Sequence, residues 1–450
     1  MANTYLTRTG ATPTISNKYT FSCWIKRGAI GTTETIFRTY SDSNNSAQLI
    51  FDSDDTFAFQ DIIGGTTVTN LKPSNLFRDT GAWFNLIVQV DYTQAVATNR
   101  AKIFINGAEV SYSATTVQSE GGASMLNTAN NNALGSNRSN SSHYFTGSMS
   151  HVNFIDGTAY PATAFGSVDA TSGIWKINTA PSVTYGNNGF FTLRDGNTIT
   201  DSSPNSNNFS LGGGTLTKTE DCPDNNFATF NPLDNYFPSG TFKNGNTTVN
   251  TGNNYAYPQA TIYVNKGKWY WEVKAISKVS GGDEYMIGIQ GKSATAINQP
   301  AQNNNGITVY GTDGDTYGFG GAATTYAAAY TAGDIIGVAL DCDNNKLYFS
   351  KNGAWSTGAG AWGSTTFNAS TGALTITDPN DVPQGGYSPV AGAYTSVSHE
   401  LSYNFGNGHF GTTAVTTNSG NGYAGTDGKS IFNYQPPTGY TALSTKGLNL

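Results

Sequence analysis

Two turn signals, Asn344-Asn345 and Asn352-Gly353, stand eight residues apart in the stretch GDIIGVALDCDNNKLYFSKNGAW, residues 333 to 355. Asn and Gly tolerate the positive φ that the primed turns of two-residue hairpins demand, and Ile335, Val338, Leu340, Leu347 and Phe349 pack well on a pleated surface. The stretch therefore predicts a tight three-stranded antiparallel meander. Nothing elsewhere in the chain competes with strands. No window carries a sustained i, i+3, i+4, i+7 apolar pattern. Alanine-rich AATTYAAAY (322 to 330) comes nearest, but its Thr and Tyr residues and flanking glycines serve a strand or loop equally well. The composition, with 53 Gly in 450 residues, 12% charged and 12% aromatic, favours short strands and turns. The expected class is all-β.

Charge and cysteine usage narrow the function. With 23 basic and 30 acidic residues the net charge is −7, and no Arg follows Arg194. The basic stripe that phosphate neutralisation requires is missing, so nucleic acid is not an expected partner. Cys23, Cys222 and Cys342 lack CxxC or Cys/His spacing and read as reduced, buried, small hydrophobes. MANTYLTRTGATP has no apolar h-region and no run of 18 apolar residues occurs, so the expectation is a chain made in a host cytoplasm with no membrane insertion.

Further strands frame the domain organisation. YTFSCWIKRG (19 to 28) puts Tyr19, Phe21, Cys23 and Ile25 on one face and Thr20, Ser22, Trp24 and Lys26 on the other, the pattern of a half-buried strand. WFNLIVQVDYTQAVATNRAKIFINGAEV (83 to 110) repeats the meander design, with Asn106-Gly107 at its second turn. Between the halves, residues 201 to 240 are crowded with Pro, Gly, Asn and Asp, yet retain Phe209, Phe227, Phe230, Tyr236 and Phe237. This stretch reads as an ordered connector or small extra β element. The expected division is 1–180, a connector over 181–254, and 255–450.

YTFSCWIKRG, the segment Trp83 to Asp91, IFINGAEV and GSMSHVNFIDGTAYP (147 to 161) resemble a laminin G-like module of the concanavalin A-like superfamily. KGKWYWEVKA (266 to 275), YMIGIQ, DTYGFGG, the opening meander, YSPVAGAY and HELSYNFGNGHF (399 to 410) resemble a SPRY domain, in that family's order. These resemblances imply two concanavalin A-like antiparallel β-sandwiches, laminin G-like then SPRY-like. The pairing, in an Arg-poor, Gly/Asn/Thr-rich chain, also resembles virion surface proteins of tailed bacteriophages.

Glycosidase chemistry needs two carboxylates facing across a cleft at about 5 to 9 Å. The close acidic pairs Asp52/Asp54, Asp313/Asp315 and Asp341/Asp343 lie in turn-like sequence, where Asp caps turns. His143, His151, His399 and His409 sit in no GxSxG, HExxH or H-x3-H context. The chain is expected to be non-enzymatic and without a cofactor. The laminin G-like resemblance implies calcium as an exception, since such modules hold Ca²⁺ at the rim with hard oxygen ligands; Asp52, Asp54 and Asp55 are the candidates, against the simpler alternative of a solvated acidic turn.

Glycan binding uses exposed aromatic faces beside polar groups. Trp355 and Trp362, set among Gly, Ser and Ala, are the candidates, with Tyr310, Tyr326 and Tyr330 in neighbouring loops. Ligand contact and subunit contact are equally open for the two tryptophans, whereas Trp24, Trp83, Trp269 and Trp271 lie in strands and Trp269 or Trp271 belongs to a core. The functional expectation is a virion adhesin or fibre component that binds a host surface glycan or protein, contacts other virion proteins and forms a homo-oligomer, for example a trimer. The alternative is a capsid decoration or head-fibre protein with no host ligand.

Overall fold

The computed structural model describes residues 3–137, 142–194, 199–234, 240–252, 257–278, 282–291, 306–318, 323–382, 385–393, 398–415 and 423–449. Strands and a few single-turn 3-10 segments are its regular elements, and no α-helix occurs among the described residues. The chain divides into two compact units, Met1–Lys218 and Thr219–Leu450.

In the first unit an eight-stranded and a six-stranded antiparallel sheet enclose one apolar core. Tyr19, Phe21, Cys23 and Ile25 of the strand Lys18–Arg27 meet Phe37, Leu49, Phe57 and Phe59 of the opposing sheet there. Alternation thus sorts the inward face as expected. The strand is nevertheless not half-buried, because Thr20, Ser22, Trp24 and Lys26 on its other face are buried too. Their cover comes from the chain that follows the strand Gly147–Asp156: Phe165, Trp175, Tyr185 and Phe191 pack with Trp24, Trp83 and Ile87 in a second apolar layer. Burying a side chain of this size stabilises by roughly 1.5–3 kcal/mol, enough to keep such a segment on the sheet.

The second unit repeats this plan. A nine-stranded sheet contributes Trp271, Val273, Val338, Leu340, Leu347 and Phe349, and a four-stranded sheet contributes Ile287, Ile289, Val309 and Ala391, to one core. Trp269 and Trp271 both belong to it. The outer face of the large sheet is again covered, here by Phe432, Tyr440 and Ala442 of the C-terminal segment, which pack with Tyr270, Tyr348 and Trp355. Glu272 anchors that cover. Its buried carboxylate accepts the Asn433 and Tyr434 N–H groups at 2.8 and 2.7 Å, Asn404 Nδ2 at 3.1 Å and the Tyr270 hydroxyl at 3.3 Å. Burial pushes its pKa up to about 7, against the lowering effect of these donors.

Residues 181–254 are shared between the units. Phe190–Thr192 pairs with Gly147–Asp156 and Ser210–Gly213 with Tyr5–Thr9 in the first, whereas Thr248–Asn250 pairs with His399–Asn404 in the second. Phe209 enters the first core, Phe230 the second, and Phe227 the outer layer of the second. Tyr236 and Phe237 lie outside the described residues. Strands of three or four residues are too short for alternation to register, which is why the stretch reads as irregular. Cys23 and Cys342 are buried as expected, whereas Cys222, in a turn with Asn225, is only half-buried; all three are free thiols.

Both meanders form, but Asn344-Asn345 is not the two-residue primed turn expected: Asp341 pairs with Lys346 across a four-residue loop, 342–345, in which Asn345 has positive φ and Asn344 does not. Asn352 and Gly353 have φ of 50° and 85°, Asn106 and Gly107 have 49° and 80°, so both turns have the two positive values of a type I′ hairpin. Each asparagine also reaches back to the first strand. Asn352 Oδ1 accepts the Ile335 N–H at 2.9 Å, and Asn106 Oδ1 accepts the Asn85 N–H at 2.8 Å.

Candidate functional site

The strand Lys346–Lys351 sends Leu347 and Phe349 into the core and Tyr348 to the outer layer. Lys351, on the same side as Phe349, emerges at the core's rim. Beyond the turn, Ala354–Trp355 pairs back, and a bridge between Ser356 and Trp362 folds the intervening Gly/Ala-rich loop. Trp362 then packs half-buried against the core edge. Its Nε1–H donates to the Ala328 carbonyl at 2.8 Å, which fixes the indole's orientation. Lys351 Nζ donates to the Ala329 carbonyl at 3.0 Å and lies 5.9 Å from the Trp362 ring centroid. Thr325, Ala328, Ala329, Ala359 and Ala361 nearby are exposed and short. A pinned aromatic ring with small neighbours can accept the C–H face of a ligand at low ordering cost.

The other four expected contacts are structural. Trp355 is covered by Phe367 and Tyr270, with ring centroids 4.9 and 6.4 Å away, because β alternation opposite Ser350 turns it to the outer layer. The local Gly, Ser and Ala do not bury it; residues distant in sequence do. Tyr326 accepts the Phe349 N–H at 3.2 Å and donates to the Gly372 carbonyl at 2.7 Å from within the core. Tyr330, also in the core, donates towards the Tyr285 and Val309 carbonyls at 3.1 and 3.0 Å. Tyr310 is buried edge-on to Tyr317, and burial pushes its pKa up to about 12. Trp362 alone of the five keeps a partly open ring. Lys351 was not legible as its companion, because the carbonyls that hold both residues belong to an alanine run that carries no side-chain signal.

The three acidic calcium candidates are occupied by cations of the chain itself. Asp55 is buried and meets Arg27 Nη1 at 3.1 Å and Arg78 Nε at 3.0 Å, while it also accepts the Gly31 N–H at 2.8 Å. Asp52 and Asp54 share Lys72 Nζ at 3.3 and 3.4 Å. The acids are thus neutralised in two separate directions and do not converge on an ion. No group of three or more His, Cys, Asp or Glu able to hold a metal occurs among the described residues. Arg27 also meets Glu34 at 3.3 Å, whose pKa burial pushes up to about 7 although Arg27 and Thr146 pull it down. Asp61, raised to about 6 by burial, is bonded by Ser124 and the Met125 N–H. These perturbed carboxylates are each enclosed by their own donors.

Residues 2–163 match the family profile of the concanavalin A-like lectin/glucanases superfamily in its laminin G-like form, and residues 268–374 match that of the SPRY domain. The chain joins a laminin G-like domain to a SPRY domain. It is 34% identical over 88 residues to Ran-binding protein 9 of Danio rerio, covering 19% of this chain and 14% of that protein. Over 99 residues it is 33% identical to the Ran-binding proteins 9/10 homolog of Drosophila melanogaster, covering 22% and 10%. The chain therefore spans a small fraction of the length of these relatives. Among solved structures, the SPRY domain of human HERC1 is 17% identical, with 39% of this chain and 96% of that one covered and a TM-score of 0.30. A Bacteroides ovatus protein with a proposed carbohydrate-binding role is also 17% identical, with 48% and 58% covered and a TM-score of 0.32. No helix among the described residues is long and apolar enough to cross a membrane.

Proposed function

We infer that this chain is a non-enzymatic binding protein whose SPRY-containing unit contacts its ligand through Trp362. The observation that carries this reading is the half-buried indole itself, held in one orientation by Ala328 while short side chains leave its surroundings low. Ionisable groups support the non-enzymatic part, since Glu34, Asp61 and Glu272 serve as structural anchors. The finer reading is a bacteriophage virion adhesin for a host surface glycan or protein, supported by the Gly-rich, weakly charged composition and by two rigid sandwiches that hold loops at their rims. Binding of the full chain to a glycan and cell-surface panel, with and without Trp362→Ala, tests the site. Loss of binding with an unchanged melting curve is expected, and unchanged binding overturns it. Immunogold on particles tests the finer reading. Tail-confined copies fit an adhesin, whereas copies spread over the capsid replace it with decoration.

A further inference from the structure

A second property of the Trp362 rim, resting on the ligand-contact reading above, concerns the charge of what binds there. We propose that the ligand is an acidic sugar, whose C–H face lies on Trp362 and whose carboxylate is taken by Lys351.

Among the described residues of this unit, Lys268 meets Asp341 and Lys278 meets Asp283, both at 3.1 Å, and Lys243 and Lys446 meet Glu400 and Asp224, both at 2.6 Å, whereas Lys346 donates to the Thr375 hydroxyl at 2.7 Å. Lys351 makes no ion pair among the described residues and donates only to the neutral Ala329 carbonyl. Carboxylates on neighbouring elements are already engaged: Asp334 accepts Asn352 Nδ2 at 2.7 Å and the Thr331 N–H at 2.9 Å, and Asp315 is bonded by the Thr325 side chain. In a chain of net charge −7, an ammonium left without a carboxylate beside a pinned indole is a positive feature.

The fold does not require a lysine there. In the first unit the residue one step before the Asn-Gly turn is Ile105, paired with Leu86, just as Lys351 is paired with Ile336. Ile105 packs against the core rim. The same hairpin is therefore built with an apolar residue at this position.

The separation of the two groups also fits one sugar. A carboxylate oxygen sits about 2.8 Å from an ammonium nitrogen, and apolar atoms rest roughly 3.5–4 Å from a ring face. Lys351 Nζ lies 5.9 Å from the Trp362 centroid, so both contacts fall within the reach of a single monosaccharide placed beside the ammonium. A pyranose bearing one carboxylate supplies both contacts. Exposed Ala and Thr side chains around the ring leave its hydroxyls in water.

The test is titration of the full chain, followed by calorimetry, with oligogalacturonate, polysialic acid and neutral maltoheptaose, for the parent protein and for Lys351→Gln and Trp362→Ala. The expected result is acidic over neutral preference of about tenfold or more, falling as NaCl is raised. Lys351→Gln should remove the preference with melting unchanged, and Trp362→Ala should remove binding. Equal binding of acidic and neutral sugars, with Lys351→Gln silent, overturns the acidic assignment and leaves Trp362 as the contact. Acidic-sugar binding that survives Trp362→Ala overturns both. Binding of none of the three probes, or of poly-glutamate in their place, overturns the acidic-sugar proposal.

Discussion

The meanders at Asn106-Gly107 and Asn352-Gly353 are the same device in two units, and their differences separate what a hairpin needs from what a site needs. Both turns use positive φ at two residues, and both asparagines bond the first strand across the hairpin. Each glycine lies under an aromatic ring of the covering segment, Trp175 over Gly107 and Tyr434 over Gly353. The side chains that differ are those the backbone leaves free. Ile105 becomes Lys351, and Glu109, paired with Lys102 at 3.1 Å, becomes the buried Trp355. The hairpin geometry therefore constrains Asn and Gly, while its flanks are open to a core in one unit and to a partly exposed rim in the other.

Truncation strains this comparison most. Each unit is expected to fold alone only with its share of residues 181–254, so 219–450 should melt cooperatively and 255–450 should not. The shorter piece lacks Phe230 and Val249, both fully buried, and the strand that pairs with His399–Asn404. Far-UV dichroism on heating checks this, and equally sharp transitions for both fragments would break the parallel. Next in size, Gly107→Val and Gly353→Val should each cost about 2–4 kcal/mol, from a β-branched residue at positive φ and from overpacking against the ring above. Denaturant melts of the two variants should agree within about 1 kcal/mol; if only one is destabilised, the turns are not equivalent.

A smaller effect distinguishes how the covers are held. Glu272→Gln should cost about 2–3 kcal/mol, because the amide puts an N–H against donors that a carboxylate accepted. Asn85→Ala, which removes the acceptor for Trp175 Nε1 at 3.2 Å, should cost about 1–2 kcal/mol. Hydrogen exchange should quicken over 423–449 in the first variant and over 158–193 in the second. Exchange that quickens elsewhere would show that the anchors are misassigned.

The smallest expected effect is on pH. Glu272 and Glu34 have folded pKa values raised to about 7 by burial, above the ordinary value of about 4.3 for an unfolded chain. The folded state then holds protons that the unfolded state has released, so the stability these groups contribute is present below about pH 4.5 and is lost as pH rises to about 7. Thermal midpoints of both units should fall across that window, and Glu272→Gln should flatten the fall in the second unit only. A rising midpoint would mean that the donors around Glu272 outweigh its desolvation.

Much of this was legible because it is local. Turn type at Asn106-Gly107 and Asn352-Gly353, the three strands of each meander and the inward set Tyr19, Phe21, Cys23 and Ile25 all follow from residues within a few positions of one another. Of the five aromatic candidates, the sequence could not distinguish Trp362 from Trp355. Both sit among the same small residues, and what separates them is Phe367 and Tyr270 arriving from elsewhere.

Local chemistry by itself thus determined the all-β class, the strands and the Asn-Gly turns, since steric limits on φ and two-residue alternation act between near neighbours, while the two-sandwich plan followed from the family resemblance of the two halves. Burial is different in kind. It sums over every segment that reaches a surface, so the covered outer faces, the neutralised Asp52, Asp54 and Asp55, and the pairing of Lys351 with Trp362 came into being only when distant parts of each unit packed together.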